Sequence, residues 1–155
     1  MQEGPLVCPV GATGLARRAL LTSMFFALAT VGVAQEAWSP TSTTDAPEGR
    51  YSHAAVWTGS LMIVWGGFRS GFGYLDTGGI YEQEIDAWSP TSLTNAPTAR
   101  RGTAVWTGSK MIVWGGWAEG YGPVNTGGVY DPATDSWTPT STSNAPSARS
   151  DHTAV

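Results

Sequence analysis

The chain has 155 residues, with 20 Gly, 10 Pro and 8 Trp, only 13% charged side chains and a formal charge of −4. Many aromatics with few charges exclude a disordered chain, and frequent Gly and Pro predict many turns. The acidic balance, without a cluster of Lys and Arg, excludes recognition of nucleic-acid phosphates.

At the start of the chain, Arg17 and Arg18 precede the uncharged run ALLTSMFFALATVGVA (19–34), which ends in small residues. A basic region, an apolar run and Gly32-Val33-Ala34 predict a secretory signal, residues 1–34, cleaved after Ala34. Its apolar run falls short of the ~20 residues that span a bilayer, so an uncleaved anchor is the weaker alternative. Cleavage removes Cys8, the only cysteine, and leaves 6 basic against 11 acidic side chains. The mature chain is therefore expected to be secreted, periplasmic or held at the cell surface. It would have no disulfide and no membrane contact.

From residue 35 onward the sequence repeats. Trp38, Trp88 and Trp137 each open a Trp-Ser/Thr-Pro-Thr-Ser phrase; Ala-Pro follows at 46–47, 96–97 and 145–146, then Arg50, Arg100 and Arg149. Within a period, HAAVW (53–57) and LMIVW (61–65) flank a Thr-Gly-Ser link and predict a hairpin. The second run is apolar on both faces, as a strand covered on each side must be. GGIYEQ (78–83) and DAWSPT (86–91) supply two more strands across a polar turn. Four antiparallel strands per period make one propeller blade, about 51–91, and its copy about 101–140. VWTGSLMIVWGG (56–67) returns as VWTGSKMIVWGG (105–116) because each copy must fit equivalent neighbours. Leu61 and its counterpart Lys110 follow the turn, where a long side chain reaches solvent.

Gly66-Gly67, then Tyr81, then Trp88 resembles the kelch repeat, and Gly115-Gly116, Tyr130 and Trp137 repeat the pattern. The resemblance, with a period near 50, implies an all-β kelch-type β-propeller. About two complete four-stranded blades are expected, with flanking strands at Trp38 and at HTAV (152–155) from an incomplete ring. Since closed propellers typically have about 4–8 blades, residues 35–155 read as a partial propeller. Further blades in cis, or self-association, would be needed to close it.

Candidate function rests on the loops FRSGFGYLD (68–76) and WAEGYGPVN (117–125), the longest irregular stretches, which vary while the strands stay fixed. Phe72, Tyr74, Trp117 and Tyr121 are candidate ligand contacts, able to stack on a sugar or anchor a peptide. The competing reading folds them back over the blade end. Arg50, Arg100 and Arg149 approach the same face. The resemblance implies that such arginines can hold acidic peptide side chains through forked hydrogen bonds, and the competing reading is an ion pair between blades. His53 and His152 have no third ligand in spacing and read as structural, so no metal or other cofactor is expected. Glu82, Glu84 and Asp86 read as solvated turn charges, and Asp131 to Asp135 as a turn.

These readings describe an exported, non-catalytic binding scaffold with a protein or carbohydrate partner. The alternative is the N-terminal part of a carbohydrate-active kelch enzyme. The oxidase kind needs a Cys-linked Tyr, for which the mature chain has no Cys. The sugar-isomerase kind needs an acid–base pair, and none stands out.

Overall fold

The computed structural model describes residues 37–155; the signal segment expected at 1–34 lies outside them. Among the described residues there are strands and turns but no helix. In chain order come β1 (Ala54–Trp57), β2 (Leu61–Trp65), a short hairpin of β3 (Phe68–Arg69) and β4 (Gly73–Tyr74), β5 (Gly78–Glu82) and β6 (Ala87–Pro90). They are followed by β7 (Arg100–Trp106), β8 (Met111–Ala118), β9 (Gly122–Pro123), β10 (Gly127–Asp131) and β11 (Ser136–Pro139). The first blade is the sheet β1-β2-β5-β6 and the second is β7-β8-β10-β11, antiparallel throughout, with β9 added to the end of β8.

The strands follow the local chemistry. Alternation in β1 buries Ala54 and Val56 and exposes Ala55 and Trp57, whereas β2 buries Ile63, Val64 and Trp65 in succession. A strand apolar on both faces lies inside the molecule, and the core forms where the blades meet. Val56, Ile63 and Trp65 of the first blade pack with Met111, Val113, Tyr130 and Trp137 of the second. The Trp65 and Trp137 rings lie 5.3 Å apart and tilted at 56°, an arrangement worth about 0.5–1.5 kcal/mol beyond area burial. Lys110 reaches solvent as its place after the turn predicts, and pairs with Asp131 at 2.5 Å. That bond holds the Asp131 carboxyl below its ordinary range.

The recurring diglycine has a steric cause. Gly67 and Gly116 have φ of +96° and +90°, and an added Cβ would meet the carbonyl oxygens of Tyr51 at 2.7 Å and Arg101 at 2.1 Å. Only glycine admits that approach. It lets the Gly67 N–H donate to the Arg100 carbonyl of the next blade at 2.8 Å, and the Gly116 N–H donate to the Arg149 carbonyl at 2.9 Å.

A second device ties each blade's outer edge to the linker before it. Asp135 Oδ1 accepts from the Tyr130 hydroxyl at 2.6 Å and from the Ser92 N–H at 2.7 Å, while Trp137 Nε1 donates to the Ser92 carbonyl at 3.0 Å. Asp86, Tyr81, Trp88 and Ser42 repeat this latch at 2.7, 2.8 and 3.0 Å. Asp86 is an exposed turn charge as expected, and it does more than face solvent: it and Asp135 sit at left-handed turn positions, φ 50° and 46°, and each ties two segments together.

Two expectations change in detail. Trp38 and residues 152–155 form no strand: Trp38 stands fully exposed, and the later segment docks through His152, against the Thr103 hydroxyl and the Trp114 ring. The loops 68–76 and 117–125 are not irregular, since β3–β4 and β8–β9 make each an ordered hairpin.

Candidate binding face

Both hairpins rise from the β2→β5 and β8→β10 connections, at one end of their blades. The structure explains why their necks are fixed. Arg50 Nη1 donates to the carbonyls of Gly66 and Thr77, which flank the first hairpin, at 3.2 and 2.8 Å. Arg100 Nη1 does the same to Gly115 and Thr126 at 3.3 and 2.8 Å. Its Nε and Nη2 bond Thr98 and the Thr126 hydroxyl, so five bonds match the five guanidinium donors.

This corrects both sequence readings for Arg100. It is 1% exposed with no donor left for a ligand, and its partners are carbonyl and hydroxyl oxygens rather than the carboxylate of an ion pair. Burial lowers its pKa from the ordinary value, and burial is also the largest cause of the lowering at Arg50. Arg50 serves the same clamp in a more open setting. Arg149 is exposed, and among the described residues its side chain bonds only Ser147, through Nε to the carbonyl and Nη2 to the hydroxyl, both at 3.1 Å.

The aromatic candidates divide. Tyr74 is half-buried in a stack within its own hairpin, edge-on to Phe68 at 5.1 Å, while Phe68 lies 5.3 Å from Tyr51. It follows the fold-back reading. Phe72 and Tyr121 stand at the hairpin tips, 71% and 75% exposed, and Trp117 is 39% exposed. The Arg69 guanidinium lies 3.8 Å from the Phe72 ring centre and forms an ion pair with Glu48, which holds the ring in place. Glu119, between Trp117 and Tyr121, accepts from the Tyr74 N–H at 3.2 Å and links the two hairpins. Arg69 and Glu119 escaped the sequence reading, although their place inside the variable loops was a signal for them.

His53 is exposed, whereas His152 is half-buried, with Nε2 2.8 Å from the Thr103 hydroxyl and its ring edge-on to Trp114 at 5.5 Å. Among the described residues no group of three His, Cys, Asp or Glu could hold a metal ion.

The diglycine contact and the Tyr–Asp–Ser–Trp latch recur in both blades, so the chain is one unit built twice. The chain matches the family model described as the KLHDC2/KLHL20/DRC7 Kelch-repeats domain over residues 17–155. No curated protein matches it. With nearly the whole sequence inside that match, the chain belongs to the kelch-repeat family.

Proposed function

We propose that the chain is an exported, non-catalytic binding module that takes a protein ligand on the face built by its two hairpins. The supporting observation is the exposure of Phe72 and Tyr121 at the tips of ordered loops. Large aromatic side chains left in water on a rigid support suit ligand anchoring. Membership of a family of repeat scaffolds supports a protein partner. Export rests on Arg17, Arg18 and the apolar run that follows them. Further blades, in cis or from a second copy, would widen the same face.

Phe72, Trp117, Tyr121 and Arg149 are the contacts proposed to remain, and Arg50, Arg100 and Tyr74 support them from below. The test is to probe peptide and glycan arrays with the full chain and with a Phe72→Ala/Tyr121→Ala double variant. Selective peptide binding that falls tenfold or more in the variant, at an unchanged unfolding midpoint, is the expected result. Binding to glycans alone, or peptide binding indifferent to both aromatics, would overturn the reading.

A further inference from the structure

At the end of the blades opposite the hairpins, the β1–β2 turn of the first blade meets the β10–β11 turn of the second across a cleft of about 330 Å³. Thr58, Ser60 and Leu61 line one wall, and Trp106, Pro132 and Ala133 line the other. Both walls are held from within. Thr58 Oγ1 accepts from the Leu61 N–H at 2.9 Å, and Trp106 packs against the core shared by the blades.

Leu61 is the one residue that distinguishes VWTGSLMIVWGG from its copy, where Lys110 stands instead. The two turns match in backbone, since Thr107 Oγ1 accepts from the Lys110 N–H at 3.1 Å. The Lys110 ammonium pairs with Asp131 at 2.5 Å. Asp131 follows Tyr130 as Glu82 follows Tyr81, so Glu82 is its counterpart in the first blade. Leu61 and Glu82 are partners in the β2–β5 ladder, and directly opposed residues share one face of a sheet with Cβ atoms about 4.5–5.5 Å apart. That face also carries Ile63 and Trp65, which pack on the second blade. Glu82 is exposed, and among the described residues it has no ion pair. The exchange of lysine for leucine thus takes a cation from beside a carboxylate and sets an apolar wall there.

We propose that this cleft docks a protein segment in which a lysine or arginine adjoins an apolar side chain. The apolar group lies between Leu61 and Trp106, and the cation takes at Glu82 the place that Lys110 takes at Asp131. Charge complementarity selects this occupant, because the second blade shows the same carboxylate position filled by an ammonium group. Glu84, exposed in the turn that follows Glu82, adds a second negative charge at this end of the blade. A second copy of the chain suits the cleft less well, since Lys110 is its only lysine and is already paired. The site shares no residue with the hairpin face and goes beyond the function proposed for it.

The experiment titrates the full chain, with its indole nitrogens labelled, against a capped leucine–lysine–leucine peptide and an analogue carrying norleucine in place of lysine. Trp106→Phe identifies the Trp106 signal. A saturable shift of that signal is expected with the lysine peptide, at an affinity tenfold or more above that of the norleucine one. Glu82→Gln brings the two peptides together. Leu61→Lys writes the second blade's own pair into the first and weakens lysine-peptide binding tenfold or more. Its unfolding midpoint stays unchanged or rises, since Lys110 shows that the turn accommodates the side chain. An unmoved Trp106 signal, equal binding of the two peptides by the parent, or a Leu61→Lys chain that binds as the parent does would overturn the site. So would self-association of the parent chain that Leu61→Lys abolishes without any peptide binding, because the occupant would then be a second copy.

Discussion

Trp88 and Trp137 hold the same place in successive blades, each donating its indole N–H to a serine carbonyl at 3.0 Å. Trp137 is 3% exposed, against Trp65 of the first blade, while Trp88 is only half-buried. Trp65 and Trp114 show the converse. Trp65 is 1% exposed because the second blade covers it, and Trp114 has the half-buried His152 ring beside it instead. The sequence around each pair is nearly identical, so the difference comes from the neighbouring blade. A blade's strand-ladder hydrogen bonds are its own, with a few such as Gly67 N–H to the Arg100 carbonyl crossing between blades, and burial of its large apolar rings is lent by its neighbour, as in repeat proteins generally.

The sharpest way to break this comparison is to remove the paired tryptophans. Trp137→Ala is expected to cost about 3–5 kcal/mol in urea unfolding, because a large ring leaves a filled core. Trp88→Ala, already half in water, is expected to cost about 1–2 kcal/mol. Equal losses would mean that burial by the adjacent blade contributes little.

The arginine clamp gives a smaller contrast of the same kind. Arg50 and Arg100 bond equivalent carbonyls, but only Arg100 is sealed beneath a neighbour. Arg100→Ala strands buried carbonyl oxygens and is expected to cost about 2–4 kcal/mol, with Arg50→Ala costing about 1 kcal/mol. Arg149→Ala removes an exposed side chain bonded among the described residues only to Ser147, and is expected to leave stability within about 0.5 kcal/mol. Comparable losses at Arg50 and Arg100 would assign the clamp's worth to the bonds alone.

Sequence periodicity was enough to place the four ladder strands of each blade, since turn chemistry and apolar alternation are local, but not the short hairpin strands β3, β4 and β9. LMIVW (61–65) coincides with β2, and GGIYEQ and DAWSPT contain β5 and β6. The diglycine was legible as a motif, yet its cause lies in the Tyr51 and Arg101 carbonyls, whose positions the chain does not spell. Arg100 failed as a ligand contact for a related reason: spacing reveals a donor, while a carbonyl acceptor has no residue type to announce it. Asp86 and Asp135 were within reach, each five residues after its tyrosine in both copies.

The finest contrast between the blades lies in their two latch tyrosines. The Tyr81 hydroxyl is raised above its ordinary pKa of 10.0 chiefly by its bond to Asp86, whereas Tyr130 is raised chiefly by burial and only then by Asp135. A raised phenol contributes stability that is complete below its unfolded pKa and is lost as pH rises through its folded one. Asp86 has the opposite sign. Its carboxyl is lowered from 3.8, first by the Ser42 N–H and then by Tyr81, so its contribution is present above that value and lost as pH falls through the folded pKa. The latch is therefore complete between the acid and alkaline limbs and weakens beyond each. In phenolate absorbance titrations, Asp86→Asn is expected to return Tyr81 toward the ordinary tyrosine range, with Tyr81→Phe identifying its signal. Asp135→Asn should leave Tyr130 raised, because the second blade's interior keeps it out of water whether or not the carboxylate is there. If both tyrosines fell back equally, the hydrogen bond rather than burial would govern both latches, and the distinction between the two blades would vanish at this site.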